Sequence, residues 1–340
     1  MLNIGVIGYG YWGPNLVRNF VESPHTQVLA VADTQAGRRS LVEARYPHIQ
    51  TVNDARDLIA NPKIDAVVVA TPVASHFDLA MAALRAGKHV LVEKPLASST
   101  DQGNRLIDEA ERRKLVLMVD HTFVYTSAVR KIRDLVEKGE LGQPYYYDAI
   151  RINLGLFQHD VNVLWDLAVH DLSILQYVVN ADPVALSAIG ASHFGSKSEN
   201  IAYLTLFFPD NLLAHIHVNW FAPVKVRRTM IGGSRRMLIY DDVEGSEKVK
   251  VYDKGVHMSD TESVHQLRIN YRAGDMWAPQ IDNTEALKVE VEEFVNSIQA
   301  SRRPLTDGEA GLRVLRMLEA ATQSMAERGR VVEFACGVAL

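Results

Sequence analysis

The chain has 340 residues, too many for one hydrophobic core, so two domains are expected. It is 47% hydrophobic and 23% charged, the make-up of an ordinary globular protein, with a formal net charge of −5 and no basic block. That balance excludes a nucleic-acid footprint and a polybasic membrane anchor, and the single cysteine, Cys336, excludes an intrachain disulfide and a cysteine metal cage.

Cys336 lies in the tail with no histidine near it in sequence and reads as an inert or surface thiol. The start of the chain runs directly into an apolar strand pattern, with no basic n-region and no small-residue cleavage site. No apolar run reaches the roughly 18 residues of a spanning helix. A cytoplasmic protein without a membrane partner is expected.

The first 120 or so residues alternate strand and helix signals. Apolar, partly β-branched runs at 2–7, 28–32, 66–70, 89–92 and 115–119 predict strands buried on both faces. Helical periodicity separates them at 12–22, 36–46, 55–60, 75–86 and 100–113. Asp54, Ser75 and Ser99 or Thr100 are candidate N-caps, and Gly87 fits a helix stop. This rhythm predicts a doubly wound parallel sheet of the Rossmann type over residues 1–122.

Residues 123–340 change character. Helices are predicted at 127–138, ending at Gly139, and at 163–179, ending at Asn180. Successive strands follow from about 183 to 252, with turns at Pro209-Asp210-Asn211 and Gly232-Gly233-Ser234. Closing helices occupy 285–300 and 309–328, and the polar stretch 255–279 has no clear assignment. The pattern predicts a second α+β domain with an antiparallel sheet.

Gly8-Tyr9-Gly10-Tyr11-Trp12-Gly13 matches G-x-G-x-x-G at a strand-to-helix junction. Gly8 permits the tight turn, Gly10 lets the backbone approach a pyrophosphate, and Gly13 allows close helix–strand packing. Tyr11 and Trp12 open the helix whose free N–H groups face the phosphates. Asp33 ends the second strand, twenty residues after Gly13. An acid there accepts from the ribose hydroxyls and repels a 2′-phosphate, which favours NAD over NADP, although Arg38 and Arg39 lie one turn on.

Further motifs extend well past this fingerprint. They are Ala70-Thr71-Pro72 with His76, Glu93-Lys94-Pro95-Leu96-Ala97, Asp120-His121-Thr122-Phe123, Trp165-Asp166-Leu167-Ala168-Val169-His170-Asp171, and Arg303-Pro304-Leu305-Thr306-Asp307-Gly308. In this order they resemble the Gfo/Idh/MocA family, named for glucose–fructose oxidoreductase and inositol dehydrogenase, over nearly the whole chain. Within it, the pattern is most similar to members that oxidise nucleotide-linked sugars at C3, of the UDP-N-acetylglucosamine 3-dehydrogenase type.

The resemblance implies that Thr71, Pro72 and His76 line the cofactor cleft, with Glu93 and Lys94 beside the nicotinamide ribose and a cis Lys94–Pro95 bond. It implies that Asp166 and His170 face the cleft from a second-domain helix, that the second domain's large, mainly antiparallel open sheet serves substrate binding and oligomerisation, that the substrate is a sugar or nucleotide sugar, and that the protein forms a homodimer or homotetramer. Lys94, at the carboxyl end of a buried strand beside a cationic nicotinamide, is expected to have a lowered pKa. Asp166 and His170, four apart, share a helix face, so the carboxylate can orient the imidazole. His170 is favoured as base, with Lys94 polarising the same oxygen.

Other residues point less sharply. His121 ends a strand at the cleft edge as a cofactor or substrate contact. His215 and His217 alternate on a strand without carboxylate or cysteine companions, so no metal site is expected. Tyr145, Tyr146, Tyr147 and Trp165 read as core or interface aromatics. Arg151 and Asn153 share a strand face, open between a substrate contact and ordinary sheet surface. The activity expected is hydride transfer between a sugar secondary hydroxyl and NAD. The alternatives are an NADP-dependent ketosugar reductase and a non-catalytic dinucleotide-binding regulator.

Overall fold

A computed structural model describes residues 1–155, 161–258 and 269–334; Cys336 lies outside them. The chain begins β1 (Leu2–Ile7), α1 (Gly13–Glu22), β2 (Thr26–Ala32), α2 (Ala36–Arg45), β3 (Gln50–Val52), α3 (Ala55–Ala60), β4 (Ala66–Val69), α4 (His76–Arg85), β5 (His89–Glu93), α5 (Thr100–Arg113) and β6 (Leu117–Asp120). It continues α6 (Ser127–Glu137), β7 (Pro144–Leu154), α7 (Val169–Val179), β8 (Ala185–Ala191), β9 (Ile201–Phe207), β10 (Leu213–Asn219), β11 (Phe221–Gly233) and β12 (Met237–Asp241). The last elements are β13 (Val249–Met258), β14 (Ile269–Trp277), α8 (Ala286–Gln299), α9 (Gly308–Ala326) and β15 (Val332–Glu333).

Two compact units form. Met1–Thr126 joins Thr284–Glu319, and Ser127–Asn283 joins Ala320–Leu340. The sequence reading placed both closing helices in the second domain. The structure instead assigns α8 and most of α9 to the first unit, for reasons visible in their packing.

In the first unit the six strands run parallel in the order β3-β2-β1-β4-β5-β6. Helix-bearing crossovers cover both faces, so the central strands are apolar throughout: Val67, Val68 and Val69 are fully buried. Two of the expected caps form, with Asp54 accepting from the Arg56 N–H and Ser99 from the Gln102 N–H. Phe294 of α8 meets Phe20 of α1 edge-to-face at 6.3 Å. Gly103 and Gly311 bring α5, α9 and β6 together: a Cβ on Gly103 would come within 3.0 Å of Leu315, and one on Gly311 within 2.7 Å of Val119. Thr306 extends the β6 edge, its carbonyl accepting the Val119 N–H at 2.8 Å.

The second unit holds a nine-stranded sheet ordered β14-β13-β12-β11-β7-β10-β9-β8-β15. Only β7 and β10 pair in parallel among these neighbours. Alternation sorts its faces. Tyr147, Ala149, Leu204, Leu206, Ala214, Ile216 and Val218 are buried on one side, whereas Tyr203, Phe207 and Leu213 are exposed on the other. The stretch 255–279 left unassigned supplies the end of β13 and all of β14, which pair as antiparallel neighbours.

Candidate active site

The dinucleotide loop begins where β1 and β4, the pair at which the strand order reverses, end side by side. Gly8 has φ +100°, and a Cβ on it would lie 2.3 Å from the Ala70 carbonyl oxygen. A Cβ on Gly13 would lie 2.3 Å from the Gly8 carbonyl oxygen. Neither position tolerates a side chain without backbone movement. Gly10 differs: a Cβ there would meet only the Arg38 guanidinium, no closer than 3.5 Å. That side of the loop is open to close approach by a ligand. Helix α1 starts with Pro14 in its first turn and no side-chain cap; its Asn15 N–H donates to the Trp12 carbonyl at 2.9 Å, and its positive N-terminal end sits at the loop. These features fit a dinucleotide pyrophosphate.

Asp33 is 7% exposed, and its carboxylate accepts from the Tyr9 and Gln35 backbone N–H groups, each at 2.8 Å. Arg38 stands 3.5 Å from the same carboxylate. Tyr11 is 92% exposed and stands clear of the loop, whereas the Trp12 indole N–H donates to Asp120 at 2.7 Å. Trp12 therefore links the glycine loop to the end of β6.

After β4 and β5, His76 joins the two loops. Its ring nitrogens lie 2.8 Å from the Pro95 and Thr71 carbonyl oxygens, and the side chain is buried. The Ser75 hydroxyl lies 2.8 Å from that of Thr71, while Pro72 is exposed. Glu93 closes β5, Lys94 follows it half-buried, and the Lys94–Pro95 bond is cis. His121 is 1% exposed, and neither ring nitrogen has a partner among the described residues. Burial, then the nearby Lys94 charge, lowers its pKa to about 3, so the ring is neutral. It does not open onto solvent as a cleft-edge residue would.

In the second unit, Asp166 lies in a π-turn, Leu164–Ala168, that runs directly into α7. Such turns recur at functional positions. The Trp220 indole N–H donates to the Asp166 carboxylate at 2.9 Å. His170 follows in the first turn of α7, half-buried. The next residue, Asp171, forms a buried bidentate pair with Arg151 at 2.8 and 3.0 Å, both side chains 4% exposed. Arg151 therefore faces the sheet interior and anchors the helix that carries His170, while Asn153 is half-buried.

The remaining aromatics have structural surroundings. Tyr147 is buried, Tyr145 exposed, and the Trp165 indole donates to Thr322 at 3.0 Å. Tyr203 stacks on His217 at 4.5 Å, and Thr205 bonds His215 at 3.1 Å, which accounts for both histidines as sheet-face packing. No group of three or more His, Cys, Asp or Glu side chains among the described residues could hold a metal ion. No helix among them is long and apolar enough to cross a membrane.

Sequence reasoning missed Trp220 and gave Asp171 no role beyond the motif spelling, because Asp166 and Arg151, their partners, are distant in sequence.

Residues 2–121 match the oxidoreductase family with an NAD-binding Rossmann fold, GFO_IDH_MocA, and residues 129–239 match the GFO/IDH/MocA C-terminal domain. The chain is similar to UDP-N-acetylglucosamine 3-dehydrogenase of Acidithiobacillus ferrooxidans, with 29% identity over 92% of this chain and 94% of that one. A crystal form of that enzyme superposes with a TM-score of 0.81 over 96% of this chain and 98% of the other, at 26% identity. Myo-inositol 2-dehydrogenase of Thermotoga maritima is 22% identical over 97% of this chain and 98% of its own length. With its glycine loop, its Glu93-Lys94-Pro95 turn and both domain types matched, the chain belongs to the Gfo/Idh/MocA family of NAD-binding oxidoreductases and is a dehydrogenase acting on CH–OH groups.

Proposed function

We propose that the protein oxidises a secondary hydroxyl on a sugar ring, in particular C3 of a nucleotide-linked sugar, with NAD as hydride acceptor. The observation that carries this is the similarity to UDP-N-acetylglucosamine 3-dehydrogenase over 92% of this chain, together with Lys94 directly after β5 in the first unit and Asp166 and His170 at the entry to α7 in the second. The bound nicotinamide supplies the hydride acceptor. Gly8, Gly10, Gly13, Tyr11 and Trp12 would hold the pyrophosphate end, Asp33 the adenosine ribose, and Thr71, Pro72, His76, Glu93, Lys94 and His121 the remaining cofactor surface.

In this reading, His170 takes the hydroxyl proton and Lys94 polarises the same oxygen. Asp166, its own carboxylate held by the Trp220 indole, keeps the imidazole oriented. Arg151 and Asp171 fix the first turn of α7 beneath His170. The enzyme would work in the cytoplasm as a homodimer or homotetramer. A second reading, an NADP-dependent ketosugar reductase, draws on Arg38 standing 3.5 Å from Asp33, where it could meet a 2′-phosphate.

Single-turnover reduction of NAD at saturating substrate tests the catalytic assignment. Lys94→Ala and His170→Ala should each slow hydride transfer by about 10²-fold or more, the usual worth of a positioned acid–base group. The two losses should combine less than multiplicatively if both act on one oxygen. NAD affinity should change far less. Near-wild-type transfer in the double variant would defeat the mechanism and put the acid–base role on other residues; a wild type that binds NAD but transfers no hydride would leave a dinucleotide-binding regulator.

A further inference from the structure

Glu290, on α8 inside the first unit, is fully buried, and neither of its oxygens is paired with a donor among the described residues. Beside it lies Asp120, 1% exposed at the end of β6. Asp120 accepts from the Trp12 indole and from the Thr122 hydroxyl. Thr122 has one hydroxyl proton, so it cannot also serve Glu290. Glu93 adds a further negative charge to the surroundings of Glu290, and Lys94 is the cation felt by Asp120 and by neutral His121. The Tyr125 hydroxyl, also near Glu290, is engaged with Thr306 at 2.9 Å and is no donor to it.

Two adjacent carboxylates in such a site cannot both be charged. Desolvation of an unpaired buried carboxylate costs several kcal/mol, and a like charge alongside adds to that. One proton removes both penalties. Asp120 already has two donors, which suit a carboxylate, while Glu290 has none, which suits a carboxylic acid.

We propose that Glu290 is held as a neutral carboxylic acid donating its proton to the Asp120 carboxylate. The singly charged pair is a positioning element: it fixes the Trp12 indole of the dinucleotide loop and sets one negative charge behind Lys94. The part concerning Lys94 rests on the catalytic reading above; the protonation state and the Trp12 link do not. Burial, then the Asp120 charge, pushes the Glu290 carboxyl well above its ordinary value, and burial also raises Asp120.

With its folded pKa raised, Glu290 keeps a proton in the folded protein that the unfolded chain releases above about pH 4.3, so stability falls as pH rises toward the folded value. Glu290→Gln keeps the neutral donor and removes this cost. Its melting temperature should exceed that of wild type by a margin that widens between about pH 5 and pH 8. The wild-type infrared spectrum at neutral pH should show a protonated-carboxyl stretch that is absent in Glu290→Gln and moves to higher frequency in Asp120→Asn, where the acceptor is no longer ionised. NADH affinity by fluorescence should be preserved in Glu290→Gln and reduced severalfold in Glu290→Leu, which withdraws the donor from Asp120.

A flat melting-temperature difference across pH, or no protonated-carboxyl band in the wild type, would overturn the proposal. If Glu290→Gln does not fold, the wild-type band and its shift in Asp120→Asn decide it. Loss of turnover in Lys94→Ala bears only on the catalytic reading. Equal NADH affinity in the Gln and Leu variants would refute the positioning role.

Discussion

Asp33 shows how one residue serves a loop and a ligand together. Its carboxylate accepts two backbone N–H groups, from Tyr9 inside the glycine loop and from Gln35 at the start of α2. Each oxygen keeps a lone pair for a ribose hydroxyl. Arg38, 42% exposed and 3.5 Å away, is neutralised by that carboxylate. Asp33→Ser should weaken NAD binding and strengthen NADP binding, narrowing the ratio of their affinities by roughly tenfold, about 1.4 kcal/mol. Arg38→Ala on that background should withdraw the gain for NADP, because the phosphate partner is gone. Calorimetric titration of both cofactors checks this. A wild type that prefers NADPH would show that Arg38, not Asp33, dominates the 2′ position.

At the scale of elements, local chemistry was the legible part. The parallel strands, the Asp54 and Ser99 caps, and the turns at Gly139, Asn180 and Asp210-Asn211 all follow from short-range pattern and backbone preference. The catalytic proposal rests on short contiguous motifs, Glu93-Lys94-Pro95 and Asp166 to Asp171. Three features were not legible. β3 has only three residues and no buried member, so it carries no periodic signal. β14 holds Gly274 and Asp275 in mid-strand and is exposed over most of 271–277, so neither composition nor burial marks it as a core strand. The return of α8 and α9 to the first unit depends on contacts between segments about 200 residues apart, such as Gly103 with Leu312 and Leu315. That return changes what a dissected domain should do. A fragment ending near residue 123 would expose Phe20, Leu96 and Val119, which are fully buried in the chain, and should aggregate or remain unfolded. Residues 1–126 joined by a flexible linker to 284–319 should fold and bind NAD without turning over substrate. Circular dichroism and NAD titration of both fragments test the assignment. A folded, NAD-binding fragment of 1–123 alone would show that the returning helices are dispensable.

For the whole molecule, the open face of the nine-stranded sheet raises the question of self-association. Tyr203, Phe207 and Leu213 are 39%, 37% and 43% exposed and stand on its outer side, and Leu213 lies directly opposite Phe207 in the β9–β10 ladder. Exposed Phe207, Leu213 and Tyr203, with Thr205, His215 and His217 among them on the same face, make a mixed aromatic and apolar surface of the kind that interfaces cover. A second copy of the same face is the simplest cover, because a two-fold interface needs only one patch that complements itself. Ile150 and Met230 on the adjoining strands continue that side with further apolar area. Sedimentation or light scattering should therefore give the mass of a dimer or tetramer for the wild type. Phe207→Asp with Leu213→Asp would set two carboxylates against each other within each copy and against their equivalents across a two-fold interface. The double variant should shift to monomer while keeping NAD affinity, since the glycine loop and Asp33 belong to the other unit. A wild type that is monomeric at all concentrations would exclude assembly through this face. A double variant that keeps the oligomer mass would place the interface elsewhere.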